Sequence, residues 1–314
     1  MNGPIHVVAG VLRDAQGRVL LAQRPPGKHL AGLWEFPGGK CERDEDACDA
    51  LRRELHEELG VAVGAVEKLI AVPWRYAEKW ICLDVYNVLD YRGTPQGRER
   101  QALRWVAVQA LDDVPMPAAD RPVVSALQLP RQYTISPEPT DPDDFLAAAR
   151  RVLAAGARLL QLRSKRLSDD ALRPFAIALQ QIVSANGAAL LVNDRAALAE
   201  ELALEGVHLS AAELMRATCR PLPQGFRVGA SCHDERELAH AAHIGVDFAV
   251  LGPVQYTHSH PSQIPLGWDR FAALCKQAPL PIFALGGLRI GDLPRAIDAG
   301  AQGVAGISGF WPQR

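Results

Sequence analysis

The sequence predicts two fold classes in series: an α+β domain, then an α/β domain built as a (β/α)8 TIM-type barrel. Two observations predict this. Up to about residue 129, strands and helices do not alternate regularly. From residue 132, eight short apolar runs alternate with helical stretches over about 180 residues. A doubly wound open sheet is the competing architecture, but its Gly-x-Gly-x-x-Gly fingerprint is absent. Domain bounds of 1–129 and 132–314 follow.

In the first domain, residues 5–12 and Val19–Gln23 read as strands around an Asp14-Ala15-Gln16-Gly17 turn. Residues 46–59 read as a helix stopped at Gly60, and residues 81–89 and 103–108 as further strands. In the second, the strand runs are Gln132–Ile135, Leu159–Leu162, 189–192, Gly206–Leu209, 227–230, Phe248–Leu251, Ile282–Leu285 and 303–307. The Pro- and Asp-containing stretch 136–144 reads as a loop. Residues 308–314 are too few for a normal closing helix. Phe310 and Trp311 are therefore expected in an interface, with the first domain or with another subunit.

The 314 residues are 48% hydrophobic and 22% charged, enough for ordinary cores. A formal net charge of −2 argues against a general polyanion binder, so no direct nucleic-acid partner is expected. The longest apolar runs fall far below the roughly 18 residues of a membrane span. Residues 1–6 lack a basic region followed by an apolar core. Six cysteines without a Cys-x-x-Cys pair favour reduced thiols, and the expectation is a cytoplasmic protein.

Glu54, Glu57 and Glu58 stand at i, i+3 and i+4 and share one helical face, where like charges repel. A hard divalent cation held by carboxylate oxygens would offset that repulsion. Ala47, Ala50, Leu51, Leu55 and Leu59 make the opposite, core-facing stripe. Taken alone, a Glu-x-x-Glu-Glu run is more often a solvated acidic face. The wider pattern is Gly39, five residues, Glu45, seven residues, then Arg53-Glu54-Leu55-x-Glu57-Glu58-x-Gly60-Val61. It resembles the Nudix box at every specified position, which chance would give on the order of 10⁻⁷ per chain.

The resemblance extends over residues 5–128 to the MutT type of Nudix hydrolase, through Gln23-Arg24, His29, residues 34–40 and residues 117–122. It implies a mixed sheet between helices and a hydrolase acting on acid anhydrides. The implied reaction turns a nucleoside triphosphate, 8-oxo-dGTP, into 8-oxo-dGMP and diphosphate, and so removes damaged nucleotides. Mg²⁺ is the implied cofactor, with Mn²⁺ as substitute. Gly38, Glu54, Glu57, Glu58 and Glu99 are the implied metal ligands. Arg53 orients the carboxylates, Glu99 is also a candidate general base, and Glu45 is structural. Arg24, His29, Phe36, Lys79 and Asp120 match nucleotide-contacting positions, although Trp34 and Phe36 also suit a core. The MutT type carries asparagine where Asp120 stands. Aspartate only accepts hydrogen bonds unless it is protonated.

From residue 132 to residue 310 the chain resembles thiamine-phosphate synthase and its TenI-like relatives. The matching segments are Gln161-Leu162-Arg163-Ser164-Lys165, Val192-Asn193-Asp194-Arg195, Gly206-Val207-His208-Leu209, Ser231-Cys232-His233, Gly252-Pro253 and Leu285-Gly286-Gly287-Leu288. Each falls at the carboxyl end of a predicted strand, where barrels keep their sites. The glycine pair and Gly306-Ile307-Ser308 suit phosphate capture. The resemblance implies a phosphate-bearing thiamine-pathway ligand held by Gln161, Arg163, Lys165, Asn193, Asp194, His233, Gly286, Gly287 and Ser308. Two departures bear on catalysis. Ser210-Ala211-Ala212-Glu213 replaces the synthase Gly-Gln-x-Asp, and Thr257-His258-Ser259-His260 replaces Thr-x-Thr-Lys. Three readings stay open: a working synthase, a TenI-like tautomerase or other enzyme using His233 as acid and base, and a non-catalytic ligand-binding or regulatory module. His208 reads equally as core or ligand, and His240 and His243 as surface groups. His258 and His260 carry only a weak metal reading. A homo-oligomer is compatible with all three readings.

Overall fold

The computed structural model describes residues 3–257 and 263–311, so His258 and His260 lie outside the described residues. The chain divides into two units, Met1–Gln128 and Leu129–Arg314.

The first unit contains β1 (Ile5–Val11), β2 (Val19–Gln23), β3 (Trp34–Glu35), β4 (Gly38–Lys40), α1 (Ala47–Leu59), β5 (Ala62–Val63), β6 (Val66–Arg75), β7 (Trp80–Val88), β8 (Tyr91–Arg92), β9 (Leu103–Val106) and α2 (Arg121–Gln128). Its main sheet runs β4-β1-β7-β6, with β1 parallel to β7 and the other pairs antiparallel. A smaller sheet runs β3-β2-β9. Helix α1 starts at Asp46, whose carboxylate accepts from Cys48 N at 2.8 Å. It ends at Gly60, in the left-handed region at φ 74°. Leu51, Leu55 and Leu59 pack with Val8, Tyr86 and Val88, while Val123 and Val124 pack with Ala9, Val72 and Val85. The main sheet thus lies between the two helices. The strand expected over 103–108 stops at Val106, and Val108–Ala110 turns as a 3₁₀ segment.

The second unit is a closed barrel whose strands pair in chain order: β10 (Gln132–Ile135), β11 (Leu159–Leu162), β12 (Ala189–Asn193), β13 (Gly206–Leu209), β14 (Arg227–Cys232), β15 (Phe248–Leu251), β16 (Ile282–Leu285) and β17 (Gly303–Gly306). Every pairing is parallel. Tyr133, Phe248 and Phe283 fill the interior with ring centroids 5.3–5.7 Å apart. An outer layer of helices buries the other strand faces.

Two expectations are corrected here. The stretch read as a loop over 136–144 contains the start of a helix, Pro142–Ala154, capped by Asp141 accepting from Asp144 N at 2.9 Å. Its proline at the first turn needs no hydrogen-bonded N–H. Phe310 and Trp311 pack into the barrel's own core, each 7% exposed. Trp311 stacks on Phe145 of that helix at 5.2 Å. Among the described residues no helix is long and apolar enough to cross a membrane.

Candidate active sites

In the first unit, β4 must lie tight against β1 for the loop before α1 to reach the helix. A Cβ on Gly38 would fall 2.1 Å from the carbonyl oxygen of Val8, so only glycine fits there. The Gly38 amide donates to Glu58 Oε2 at 3.2 Å. Arg53 then organises the acidic face. It donates to both oxygens of Glu45 and to Glu54 Oε1, each at 2.9 Å, and to Lys40 O at 3.1 Å. Glu57 Oε2 lies 3.5 Å away. The Arg53 bonds hold Glu45 down at about 2, as suits an anchoring role.

A cavity of about 540 Å³ opens beside these groups. Glu54, Glu58, Glu99 and Gly38 line it, as do Arg24, His29, Phe36, Lys79 and Asp120. Arg53 and Glu57 are not among its lining residues; Glu57 is 57% exposed and turned to Arg53. Glu99 meets Lys28 at 3.2 Å. Burial pushes Glu58 up to about 7, against the Gly38 hydrogen bond and with Glu35, Glu99 and Glu54 adding repulsion. Glu54, Glu58 and Glu99 thus bring three carboxyl groups to the wall of one cavity. An all-oxygen donor set fits a hard divalent cation such as Mg²⁺.

The far side of the cavity is shaped by groups that the sequence did not single out. Glu35 ion-pairs with Arg24, whose Nε also donates to His29 O at 2.7 Å. Tyr76, at the end of β6, meets His29 edge-on at 5.6 Å, and the Lys79 ammonium stands 5.5 Å from its ring. Phe36 is buried in the core as well as lining the cavity. Asp120 is 6% exposed and accepts from the Phe36 backbone N–H. Burial first, then Glu35, pushes it up to about 8. A shift in that direction favours the neutral acid, the form that can donate as well as accept.

In the second unit, all nine barrel candidates line one cavity of about 1530 Å³ at the carboxyl ends of the strands. Gln161 Nε2 donates to Asn193 Oδ1 and Asn193 Nδ2 to Asp194 Oδ2, both at 2.7 Å. Asp194 Oδ1 accepts from Ser210 N at 2.6 Å. Gln161 is 2% exposed, and its Oε1 has no partner among the described residues. It is an acceptor left for a ligand N–H or O–H. Gly287, at φ 68°, approaches the Tyr256 carbonyl so closely that a Cβ would lie 2.4 Å from it. The Glu237 carboxylate accepts from His233 Nδ1 at 2.9 Å, which favours the tautomer with its proton on Nδ1.

Other barrel residues take structural roles. Glu213 pairs with Arg216 and does not line the cavity. His208 is 1% exposed, hydrogen-bonded to the Tyr133 hydroxyl at 3.2 Å and to Ser231 Oγ at 2.9 Å, and so belongs to the core. His240 is half-buried and donates to Ala217 O at 2.9 Å, whereas His243 is exposed.

Two family models match the chain: thiamine monophosphate synthase over residues 132–310 and the NUDIX domain over residues 8–126. A provisionally named thiamine-phosphate synthase of Geobacter sulfurreducens is 40% identical over 167 residues, covering 52% of this chain and 78% of that protein. The thiamine-phosphate synthase of Chromobacterium violaceum is 38% identical over 186 residues, 57% of this chain and 87% of that one. In the first unit, the CTP pyrophosphohydrolase of Escherichia coli is 41% identical over 122 residues, 39% of this chain and 90% of that protein.

Proposed function

The chain belongs to the thiamine monophosphate synthase family and carries a NUDIX domain ahead of its barrel, and on that premise we propose a divalent-metal-dependent nucleoside triphosphate pyrophosphohydrolase as its first activity. The observation that carries this reading is one cavity lined both by Glu54, Glu58 and Glu99 and by the buried Asp120, whose pKa burial pushes up.

Glu54, Glu57, Glu58, Glu99 and the Gly38 backbone would hold Mg²⁺, or Mn²⁺ in its place. When bound, such an ion supplies neutralisation of the phosphate charge and a water of lowered pKa. Arg53 fixes Glu54 and Glu45 so that the carboxylates keep their places without reorganisation. Lys28, Arg24 and Lys79 line the cavity as cations for the phosphate chain. Glu99 is our candidate general base for the attacking water.

A neutral Asp120 presents one donor and one acceptor side by side. That pair complements the N3 acceptor and N4–H donor of cytosine, and equally the O6 acceptor and N7–H donor of 8-oxoguanine. The Escherichia coli relative named for CTP favours cytosine. The MutT-like flanking residues Arg24, His29 and Phe36 support 8-oxo-dGTP as the second reading. Steady-state kcat/KM for CTP, dCTP, 8-oxo-dGTP, dGTP and a nucleotide sugar decides between them. Preference for unmodified dGTP or the sugar would refute both.

The barrel is proposed to bind a phosphate-bearing thiamine precursor, with Gln161, Asn193 and Asp194 on the heterocycle and Arg163, Lys165, Gly286, Gly287 and Ser308 toward the phosphate. His233, hydrogen-bonded to Glu237, is our candidate for proton transfer. Incubating the full chain with thiazole phosphate, pyrimidine pyrophosphate and Mg²⁺ separates the three barrel readings. Thiamine phosphate formed at enzyme-like rates marks a synthase, thiazole isomerisation a tautomerase, and binding alone a ligand-binding module. The free thiols suit a reducing cytoplasm as the place of action.

A further inference from the structure

We infer that His6, Cys82 and Asp84 form a second cation site on the NUDIX unit, one that takes a thiophilic divalent ion of the Zn²⁺ class in preference to Mg²⁺. His6 and Cys82 are register partners on the parallel strands β1 and β7, and Asp84 is two residues beyond Cys82. The three side chains therefore project from one face of the sheet. An imidazole nitrogen, a thiol sulfur and a carboxylate oxygen lie within 4.8 Å of one another. A tetrahedral zinc centre needs its donors roughly 3.3 to 3.8 Å apart, a small adjustment for the half-exposed His6.

The donor chemistry sets the selectivity. Sulfur and imidazole nitrogen favour Zn²⁺, Co²⁺ or Cu over the all-oxygen preference of Mg²⁺. The opposite face of the same two strands lines the nucleotide cavity through Ile5, Val7, Ile81 and Leu83, and none of the three donors is among that cavity's lining residues. His6 Nε2 stands 2.5 Å from Asp84 Oδ2, and Lys68 Nζ stands 2.6 Å from Oδ1. The ion displaces the His6–Asp84 hydrogen bond and binds Cys82 as thiolate, the thiol proton passing to solvent. Lys68 opposes binding by charge alone, and its half-exposed side chain is free to swing away.

Titrating the full-length protein with Co²⁺ in excess Mg²⁺ tests this without reading turnover. One equivalent should give a thiolate-to-cobalt charge-transfer band, lost in Cys82→Ser and in His6→Ala, unchanged in Glu57→Gln and severalfold tighter in Lys68→Met. Zn²⁺ should raise the melting temperature of the wild type but not of Cys82→Ser. Absence of the band, its persistence in Cys82→Ser, its loss in Glu57→Gln, or equal Zn²⁺ stabilisation of both proteins would overturn the site.

Discussion

A Cβ on Gly39 would lie 2.3 Å from the carboxyl carbon of Glu54, whose Oε1 is already held by Arg53 at 2.9 Å. A retreat of the carboxylate shifts that hydrogen bond with it. Gly39→Ala should therefore move Glu54 out of place and lower kcat by about a hundredfold, the scale of an ångström-sized misplacement at a reacting centre. The stability cost should be small, because the atoms met are the far end of a flexible side chain. Steady-state kinetics beside circular-dichroism melts checks both; full activity would show that the two groups do not share one tight site.

Glu57 differs from its neighbours, being half-exposed and outside the cavity wall. Its role as a metal ligand requires a side-chain rotation away from Arg53. Glu57→Gln should lower turnover on the order of 10²–10³-fold, as loss of one charge-stabilising group does elsewhere. The fold should stay intact, because the exposed pair with Arg53 contributes little. Magnesium-dependent turnover retained in this variant would remove the carboxylate argument.

Why some features were legible in the sequence and others not is physical. Barrel strands such as Phe248–Leu251 and Ile282–Leu285 are buried on both faces and read as unbroken apolar runs. Helix α1 announces itself by Asp46, Gly60 and its leucine stripe. Strand β6 does not: Glu67 and Lys68 are exposed, a bulge between Lys68 and Ile70 breaks the alternation, and Pro73 reads as a breaker. Tyr76 was missed with it. Trp311 finds Phe145 only through the closed barrel, a proximity no local pattern encodes. The nine barrel candidates, by contrast, were legible because each lies within three residues of a strand's carboxyl end, and parallel closure brings strand ends to one mouth.

Asp120 gives the first unit a pH signature. Its folded pKa, about 8, lies above the ordinary 3.8. Its contribution to stability is fully present below pH 3.8 and is lost as pH rises toward 8, by about 1.4 kcal/mol per pH unit. Asp120→Asn should abolish that slope. Donation to the base also ends when the acid ionises. The wild-type to Asp120→Asn ratio of kcat/KM for CTP should then fall about tenfold per unit above pH 8. A flat ratio would mean that Asp120 is ionised at neutral pH or does not touch the base.

His208 should give the barrel the reverse dependence. Burial, with Arg163 adding repulsion, lowers it to about 3 from the ordinary 6.5. Above pH 6.5 it is neutral folded or unfolded, so the stability it permits is fully present there. Between pH 6.5 and about 3 only the unfolded chain takes the proton, and about 1.4 kcal/mol is lost per pH unit. Its hydrogen bonds to Tyr133 and Ser231 would not offset a charged imidazole in the apolar barrel interior. The ring-proton NMR shift of His208 should thus stay at its neutral position from pH 7 to about pH 4. His208→Gln should melt earlier than wild type at pH 7, by about 1–3 kcal/mol for disturbed buried bonds, yet lose less stability on acidification. A ring titrating near pH 6 would instead put His208 in contact with solvent and return it to the candidate ligands of the mouth.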